Sequence, residues 1–144
     1  MKPQPQDSQR FQVAVRRYGM LIKPVMAARF EQETGHPFTD FPLLASIAQG
    51  VRSPSDISKR IQVSNSRVSH LIERGLNQGL IERELDPTDS RRFLLSLTDK
   101  GETLVQHVSS ALHDLVERSG LSQDELLAAT SALEKLATAL TEEL

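Results

Sequence analysis

The 144-residue chain has no cysteine and no long run of apolar residues. Without cysteine there can be no disulfide framework, no thiolate zinc site and no thiol-based redox switch. No segment approaches the roughly 18 apolar residues that a membrane-spanning helix needs, and the opening MKPQPQDSQR has no apolar signal core. We therefore expect a cytoplasmic protein with no membrane partner.

Sequence motifs for catalysis are also lacking. There is no nucleophile elbow, no glycine-rich phosphate loop and no pair of carboxylates clustered on one helical face. His107, His113 and Glu117 have metal-ligand chemistry, but the two histidines are six residues apart and do not share a helical face. We expect no enzymatic activity, no cofactor and no metal site, and read these histidines as surface residues.

The net charge of −2 conceals an uneven distribution along the chain. Residues 1–51 hold 6 Lys/Arg against 4 Asp/Glu, and residues 52–98 hold 8 against 6. Residues 99–144 hold 3 against 9, so the acid is concentrated at the C-terminal end. The middle of the chain is mildly basic, which permits a nucleic-acid partner despite the overall sign.

The middle of the chain contains a short helix with two chemically different faces. Ser64 is a good N-cap, and apolar residues recur at three- and four-residue steps from Val68 to Leu76, before Gly79 ends the helix. The opposite face is polar and could be an ordinary solvated surface. Alternatively it reads DNA, and the contacts we then select are Ser64, Asn65, Ser66, Arg67, Ser69, His70 and Arg74.

A charged β-hairpin is predicted directly after this helix. LIEREL and FLLSL are strand-like, and Asp86 and Pro87 between them suit a type I turn. Arg91 and Arg92 could protect the hairpin edge or pair with Asp86 and Asp89. An arginine on such a loop also reaches phosphate or the minor groove beside a helix in the major groove. We therefore add Asp89, Arg91 and Arg92 to the candidate DNA-binding residues.

The segment GLIERELDPTDSRRFLLSLTDKG resembles the MarR family of bacterial transcriptional regulators. The family pattern is a Gly-Leu-Ile/Val-x-Arg strand, a wing of the form Asp-x-x-Asp-x-Arg, and a strand ending in Leu-Thr-x-x-Gly. Thr88 departs from it, since many members have arginine there. The resemblance implies a two-fold dimer, and it implies that Arg91 enters the minor groove while Asp89 holds it extended. The matching positions are Gly79, Leu80, Ile81, Arg83, Asp86, Asp89, Arg91, Leu97, Thr98 and Gly101.

The rest of the chain is predicted to be helical. We expect a mobile tail (1–9), an N-terminal dimerisation helix (10–37) that Pro24 kinks or splits, a winged helix-turn-helix domain (38–98) and a C-terminal helical region (99–144). Asp40, Ser53 and Thr98 are predicted helix caps within the third segment, and Ser122 is one within the fourth. The fold class is thus mainly α, with a small antiparallel hairpin as the wing and helical dimerisation arms.

Apolar stripes on the terminal helices exceed what so small a middle domain can bury. They recur from Phe11 to Val25 and along a leucine line from Leu126 to Leu144. Such stripes are intramolecular core in many proteins, but here a homodimer is favoured. We expect a dimeric, sequence-specific regulator, usually a repressor, that binds a pseudo-palindromic operator in double-stranded DNA and is released by a small-molecule effector. The alternative is a winged-helix protein-interaction module without sequence-specific DNA binding.

Overall fold

A computed structural model describes residues 1–143 as six α-helices, one 3-10 turn and a two-stranded antiparallel sheet. This confirms the predicted fold class. In chain order the elements are α1 (Pro5–Thr34), the 3-10 turn (Phe38–Asp40), α2 (Phe41–Ala48), α3 (Pro54–Ile61), α4 (Asn65–Asn77), β1 (Ile81–Asp86), β2 (Asp89–Leu97), α5 (Asp99–Ser119) and α6 (Gln123–Thr141).

The chain divides into two compact units. The first runs from Met1 to Val108 and so includes α1, the helix-turn-helix, the hairpin and the first half of α5. The second begins at Ser109. No helix within residues 1–143 is long and apolar enough to cross a membrane.

The core of the first unit lies where α2, α3, α4 and the base of the hairpin meet. Helix α4 contributes its apolar face, as its periodicity predicts, and the hairpin contributes the ends of both strands that are far from the turn. The fully buried large side chains are Leu43, Leu44, Ile57, Val68, Leu80 and Leu95. Phe30 of α1 is also buried and packs edge-on against Phe38 and Phe41.

Three predicted serine caps are confirmed. The hydroxyl oxygens of Ser53, Ser64 and Ser122 accept hydrogen bonds from the backbone N–H three residues on, at 3.2 Å in each case. Glu125 completes a capping box by accepting from the Ser122 N–H at 2.8 Å. These bonds satisfy donors that helix starts otherwise leave unpaired, which is why so local a signal predicts these starts well.

The N-terminal helix differs from its predicted boundaries. It begins at Pro5, inside the segment expected to be a mobile tail, and ends at Gly35, where φ is +70°. It also continues through Pro24 as one element, so a split at that residue is wrong. Proline at the first helical position is favourable because its missing N–H has no partner there, and this accounts for the early start.

Asp40 does not cap α2 as expected. The segment from Phe38 begins with a 3-10 turn, and the Asp40 side chain makes no capping hydrogen bond. Its carboxylate is instead buried, with Oδ1 2.8 Å from Nη2 of Arg74 on α4.

The start of α5 is tied to the base of the hairpin. Thr98 Oγ1 accepts from the Gly101 N–H at 3.2 Å, as a cap, and donates to the Gly79 carbonyl at 2.5 Å. The Thr98 N–H donates to the Leu80 carbonyl at 3.1 Å. Gly101 lies so close to this carbonyl that a β-carbon would overlap its oxygen. The Leu-Thr-x-x-Gly pattern therefore describes a close approach between α5 and the chain entering β1.

In the second unit, α6 has no buried residue among those described. Leu133, Leu136 and Leu140 of the predicted leucine line are exposed, and Leu126 is half-buried. Leu144, the last member of that line, lies outside the described residues.

Candidate DNA-binding surface

Helix α4 has a buried face and a polar exposed face. Val68, Leu71, Ile72 and Gly75 are buried. The predicted contacts in the first half of the helix are all exposed: Ser64, Asn65, Ser66, Arg67, Ser69 and His70. The structure thus brings these six residues together on and beside one accessible face.

The turn between α3 and α4 holds this face at a fixed angle. Gln62 adopts a left-handed conformation (φ +54°), and the Val63 N–H donates to the Ser58 carbonyl at 3.2 Å. The Ser58 hydroxyl donates to the Val63 carbonyl at 2.7 Å. Because the turn is closed from both directions, α4 starts in a defined orientation relative to α3.

Arg74 is placed differently from the other predicted contacts. Its guanidinium pairs with Asp40, whose side chain is only 7% exposed. Burial raises the pKa of Asp40, and the positive charge of Arg74 opposes that rise. Neither carboxylate oxygen accepts a well-aligned hydrogen bond from the described residues. The structure therefore gives Arg74 an intramolecular role, and we leave it out of the proposed DNA contacts.

The two predicted strands pair as an antiparallel hairpin, with a register shift between Leu85 and Asp86 next to the turn. Leu85 pairs with Phe93, Arg83 with Leu95 and Ile81 with Leu97, so Phe93, Leu95 and Leu97 share one face of β2. At the turn, Asp86 Oδ1 accepts from the Thr88 N–H at 2.9 Å and from its hydroxyl at 2.7 Å. These two hydrogen bonds lower the pKa of Asp86, so the carboxylate stays charged and the turn stays closed at neutral pH.

Asp89 organises the two arginines of the hairpin, but not by holding the Arg91 side chain. Its Oδ1 accepts from the Arg91 backbone N–H at 3.0 Å, and its Oδ2 lies 3.6 Å from Nε of Arg92. Arg91 is exposed and has no acidic partner within the described residues, while Arg92 is exposed and weakly paired. Asp89 therefore acts on Arg91 through its backbone, and the Arg91 guanidinium projects without an ion pair.

Arg83 of β1 stacks on an aromatic ring of the facing strand. Its guanidinium carbon lies 4.6 Å from the centre of the Phe93 ring across the hairpin. This cation–π contact occupies the guanidinium and covers the ring. The guanidinium of Arg83 is thus held against Phe93, whereas the guanidinium of Arg91 on the same hairpin has no acidic partner among the described residues.

Sequence reasoning missed a residue that joins the hairpin to the helices. Arg52, in the loop between α2 and α3, donates from Nε to the Leu95 carbonyl at 2.9 Å and pairs through Nη2 with Glu84 at 2.8 Å. No local pattern could have indicated this, because its partners lie on both hairpin strands, far along the chain.

The histidines do not assemble a metal site. His113 Nε2 lies 3.5 Å from Glu117, and His107 Nδ1 lies 3.7 Å from Glu33. Residues 1–143 contain no cluster of three or more metal-ligating side chains.

The geometry defines a winged helix-turn-helix protein: two short helices joined by a tight turn, the second exposed, with an arginine-bearing hairpin beside it. Proteins of known family share this winged helix-turn-helix arrangement. A family model described as the MarR family matches residues 34–92. The transcriptional repressor MdtR of Bacillus subtilis is 31% identical over 120 residues, which are 82% of this chain and 77% of MdtR. The chain therefore belongs to the MarR family of winged-helix transcriptional regulators.

Solved structures of similar fold cover nearly the whole chain. The YusO protein from B. subtilis has 28% sequence identity and a TM-score of 0.62, over 96% of this chain and 99% of YusO. A mutant of S. aureus MepR, bound to an oligodeoxyribonucleotide, has 25% identity and a TM-score of 0.59, over 90% and 97% of the two chains.

Proposed function

We propose that this regulator is a homodimeric repressor that binds a pseudo-palindromic operator and releases it when a small molecule binds. The observation that carries the proposal is the combination of the exposed polar half of α4 with the unpaired guanidinium of Arg91. A helix of this width enters the major groove, and a thin hairpin beside it reaches the adjacent minor groove. The relatives support this: MdtR is named a repressor, and the MepR mutant was solved with an oligodeoxyribonucleotide.

The residues of α4 divide by position. Ser66, Ser69 and His70 lie on the exposed face within the first turns, where a recognition helix meets base edges. Ser69 already donates its hydroxyl to the Asn65 carbonyl at 3.0 Å, so it remains available as an acceptor. Asn65 and Arg67, together with the Ser64 cap, surround the helix N-terminus, which favours a phosphate.

The hairpin arginines have separate tasks in this proposal. Arg91 enters the minor groove, because its guanidinium carries no intramolecular partner and a narrow minor groove attracts positive charge. Arg92 contacts phosphate after leaving Asp89, from which it is separated by a long 3.6 Å contact. Asp89 keeps the backbone of Arg91 in place by accepting its N–H.

A second copy of the chain is the proposed occupant of the exposed apolar faces. Tyr18, Leu21 and Val25 of α1 are each more than half exposed, as are Leu127 and Leu140 of α6. Exposed apolar side chains in such numbers on two helices are unusual for a monomer and typical of an interface. A two-fold dimer would present two α4 helices about one helical turn of DNA apart, near 34–36 Å.

Effector release follows from the same arrangement. If DNA affinity depends on the separation of two α4 helices, a small molecule that binds another separation better lowers the DNA-competent population. The described residues do not assemble a polar cluster that identifies the effector, so we assign it no chemical class.

The test is a salt titration of binding to duplex DNA with matched hairpin variants. Affinity should fall linearly with log salt concentration, and Arg91→Ala should reduce the slope by about 1, since one cation fewer displaces counterions. Arg83→Ala removes the same charge from the same hairpin but from a stacked side chain, and should leave the slope unchanged. Equal slopes for the parent and Arg91→Ala would contradict the wing assignment. Absence of sequence-specific binding would favour the protein-interaction module.

A further inference from the structure

The hairpin is joined to the helix-turn-helix through the loop between α2 and α3. The Leu95 N–H donates to the Arg52 carbonyl at 2.9 Å, and Arg52 Nε donates to the Leu95 carbonyl at 2.9 Å. One residue thus gives β2 the reciprocal pair of hydrogen bonds that a neighbouring strand would give. Leu95 is fully buried, so this attachment is made at the core end of the hairpin.

The same guanidinium also reaches the other strand. Arg52 Nη2 lies 2.8 Å from Glu84 Oε2 on β1, and the Ser96 hydroxyl donates to Glu84 Oε1 at 3.1 Å. These interactions lower the pKa of Glu84, so the carboxylate is charged at neutral pH and holds both partners. Arg52 therefore binds β1 through Glu84 and β2 through Leu95 at the same time.

Such a contact matters more for geometry than for folding energy. The side chains of Arg52 and Glu84 are 37% and 52% exposed, and ion pairs with this exposure contribute little to stability. The planar fork of arginine, however, fixes direction as well as distance. A side chain that holds two strands in a fixed orientation restricts how the hairpin tilts.

Tilt at the base is amplified at Arg91. Arg91 lies four residue steps before Leu95 in β2, which is about 13 Å of extended strand. A rotation of about 10° at the base would move the Arg91 backbone by about 2 Å over that length, several times the tolerance of a hydrogen bond.

We propose that Arg52 is a positioning residue for DNA binding: by holding Leu95 and Glu84 it fixes the hairpin against the helix-turn-helix and determines where Arg91 meets the DNA. This inference rests on the proposed function, because it requires Arg91 to contact DNA. Arg52 itself touches no DNA in this scheme, and its effect passes entirely through the hairpin.

The test is a double-mutant cycle in DNA affinity, using Arg52→Ala, Arg91→Ala and the double variant. Arg91→Ala should weaken binding about tenfold or more in the parent, which is the order expected for one specific arginine contact. In the Arg52→Ala background the same change should weaken binding less than about threefold, because a misplaced Arg91 no longer contacts the DNA and its removal therefore costs little affinity. Fold-changes that simply multiply would overturn the inference.

Two further variants separate positioning from other roles. Arg52→Lys keeps the charge but cannot hold both strands, so it should behave like Arg52→Ala. Parent-like binding by Arg52→Lys would contradict the proposal and indicate a simple charge contact with phosphate. Arg60 is the matched control, because its Nη2 donates to Gln49 at 2.6 Å on the helices and not to the hairpin. The fold-change in DNA affinity caused by Arg60→Ala, whatever its size, should multiply with the fold-change caused by Arg91→Ala, because the two residues act independently.

Hydrogen–deuterium exchange tests the attachment without DNA. Backbone amides of residues 82–94 should exchange about threefold faster in Arg52→Ala than in the parent or in Arg60→Ala, because the hairpin opens somewhat more often. Unchanged exchange would overturn the inference by itself. If the parent binds no DNA although Arg52→Ala shows the accelerated exchange, the proposed function fails while the attachment stands, so the two failures are distinguishable.

Discussion

Gly101→Ala is the substitution whose effect the structure specifies most sharply. A methyl group at Gly101 would overlap the Leu80 carbonyl oxygen and also lie 3.3 Å from the Leu97 side chain. The carbonyl cannot rotate away freely, because it accepts a hydrogen bond from the Thr98 N–H. Either α5 or the chain entering β1 must therefore move.

The expected magnitude follows from opposing terms. Alanine in a helix is favoured over glycine by up to about 1 kcal/mol. Overpacking against a fixed group costs about 1–3 kcal/mol, and loss of the Thr98–Leu80 hydrogen bond about 1 kcal/mol more. The net result should be a loss of about 2 kcal/mol, which is a fall in melting temperature of about 4–8 °C for a protein of this size.

Urea denaturation followed by circular dichroism measures this loss, and Gly75→Ala is the matched control. There a β-carbon would meet Cδ1 and Cγ1 of the buried Ile81 at 3.0 Å, which are side-chain rather than backbone atoms and need to move only a few tenths of an ångström, and helix α4 gains from alanine. Gly75→Ala should therefore cost less than about 1 kcal/mol. A Gly101→Ala protein as stable as the parent would refute the close approach of α5 to Leu80.

Three other predictions follow from named contacts. Burial raises the pKa of Asp40 in the folded state, so the folded protein binds a proton at this group more readily than the unfolded chain does. The contribution of Asp40 to the free energy of unfolding should therefore increase as pH falls from the raised pKa toward the ordinary 3.8. Asp40→Asn should abolish that increase in denaturation curves measured at several pH values. At neutral pH, Arg74→Ala should destabilise by about 2 kcal/mol, because it leaves the buried Asp40 carboxylate without its partner charge while Arg74 itself is 40% exposed. Asp40→Asn should cost less than about 1 kcal/mol, and the reverse order would contradict the ion-pair assignment. Leu136→Glu should raise the dimer dissociation constant at least about tenfold in sedimentation, whereas the neighbouring Lys135→Glu should not, and equal effects would remove α6 from the interface.

Helix α4 and the hairpin were predictable because their signals are local. Ser64 caps α4, its apolar positions recur at helical spacing, and Asp86 and Pro87 mark the turn of the hairpin. Each of these depends on residues a few positions apart. The early start of α1 was missed because a polar segment looks like a tail, although Pro5 suits a first helical position.

The contacts that hold the candidate site in place were not predictable in this way. Arg74 shares the polar side of α4 with true candidates for DNA contact, and only the fold reveals that it faces Asp40. Arg52 bonds to Leu95, 43 residues away, so no spacing pattern relates them. The sequence of α1 likewise contains no signal for what covers its exposed apolar residues, because that depends on assembly.

The measurement that tests the central claim most directly is selection of bound fragments from a random pool of duplex DNA by the full-length protein. Two copies of α4 and its hairpin, related by a two-fold axis, should enrich an inverted repeat whose half-site centres lie about 10 base pairs apart. His70→Ala should change the preferred bases within each half while leaving the spacing intact. A pool that converges on no sequence, or on a lone half-site without its inverted copy, would contradict the account.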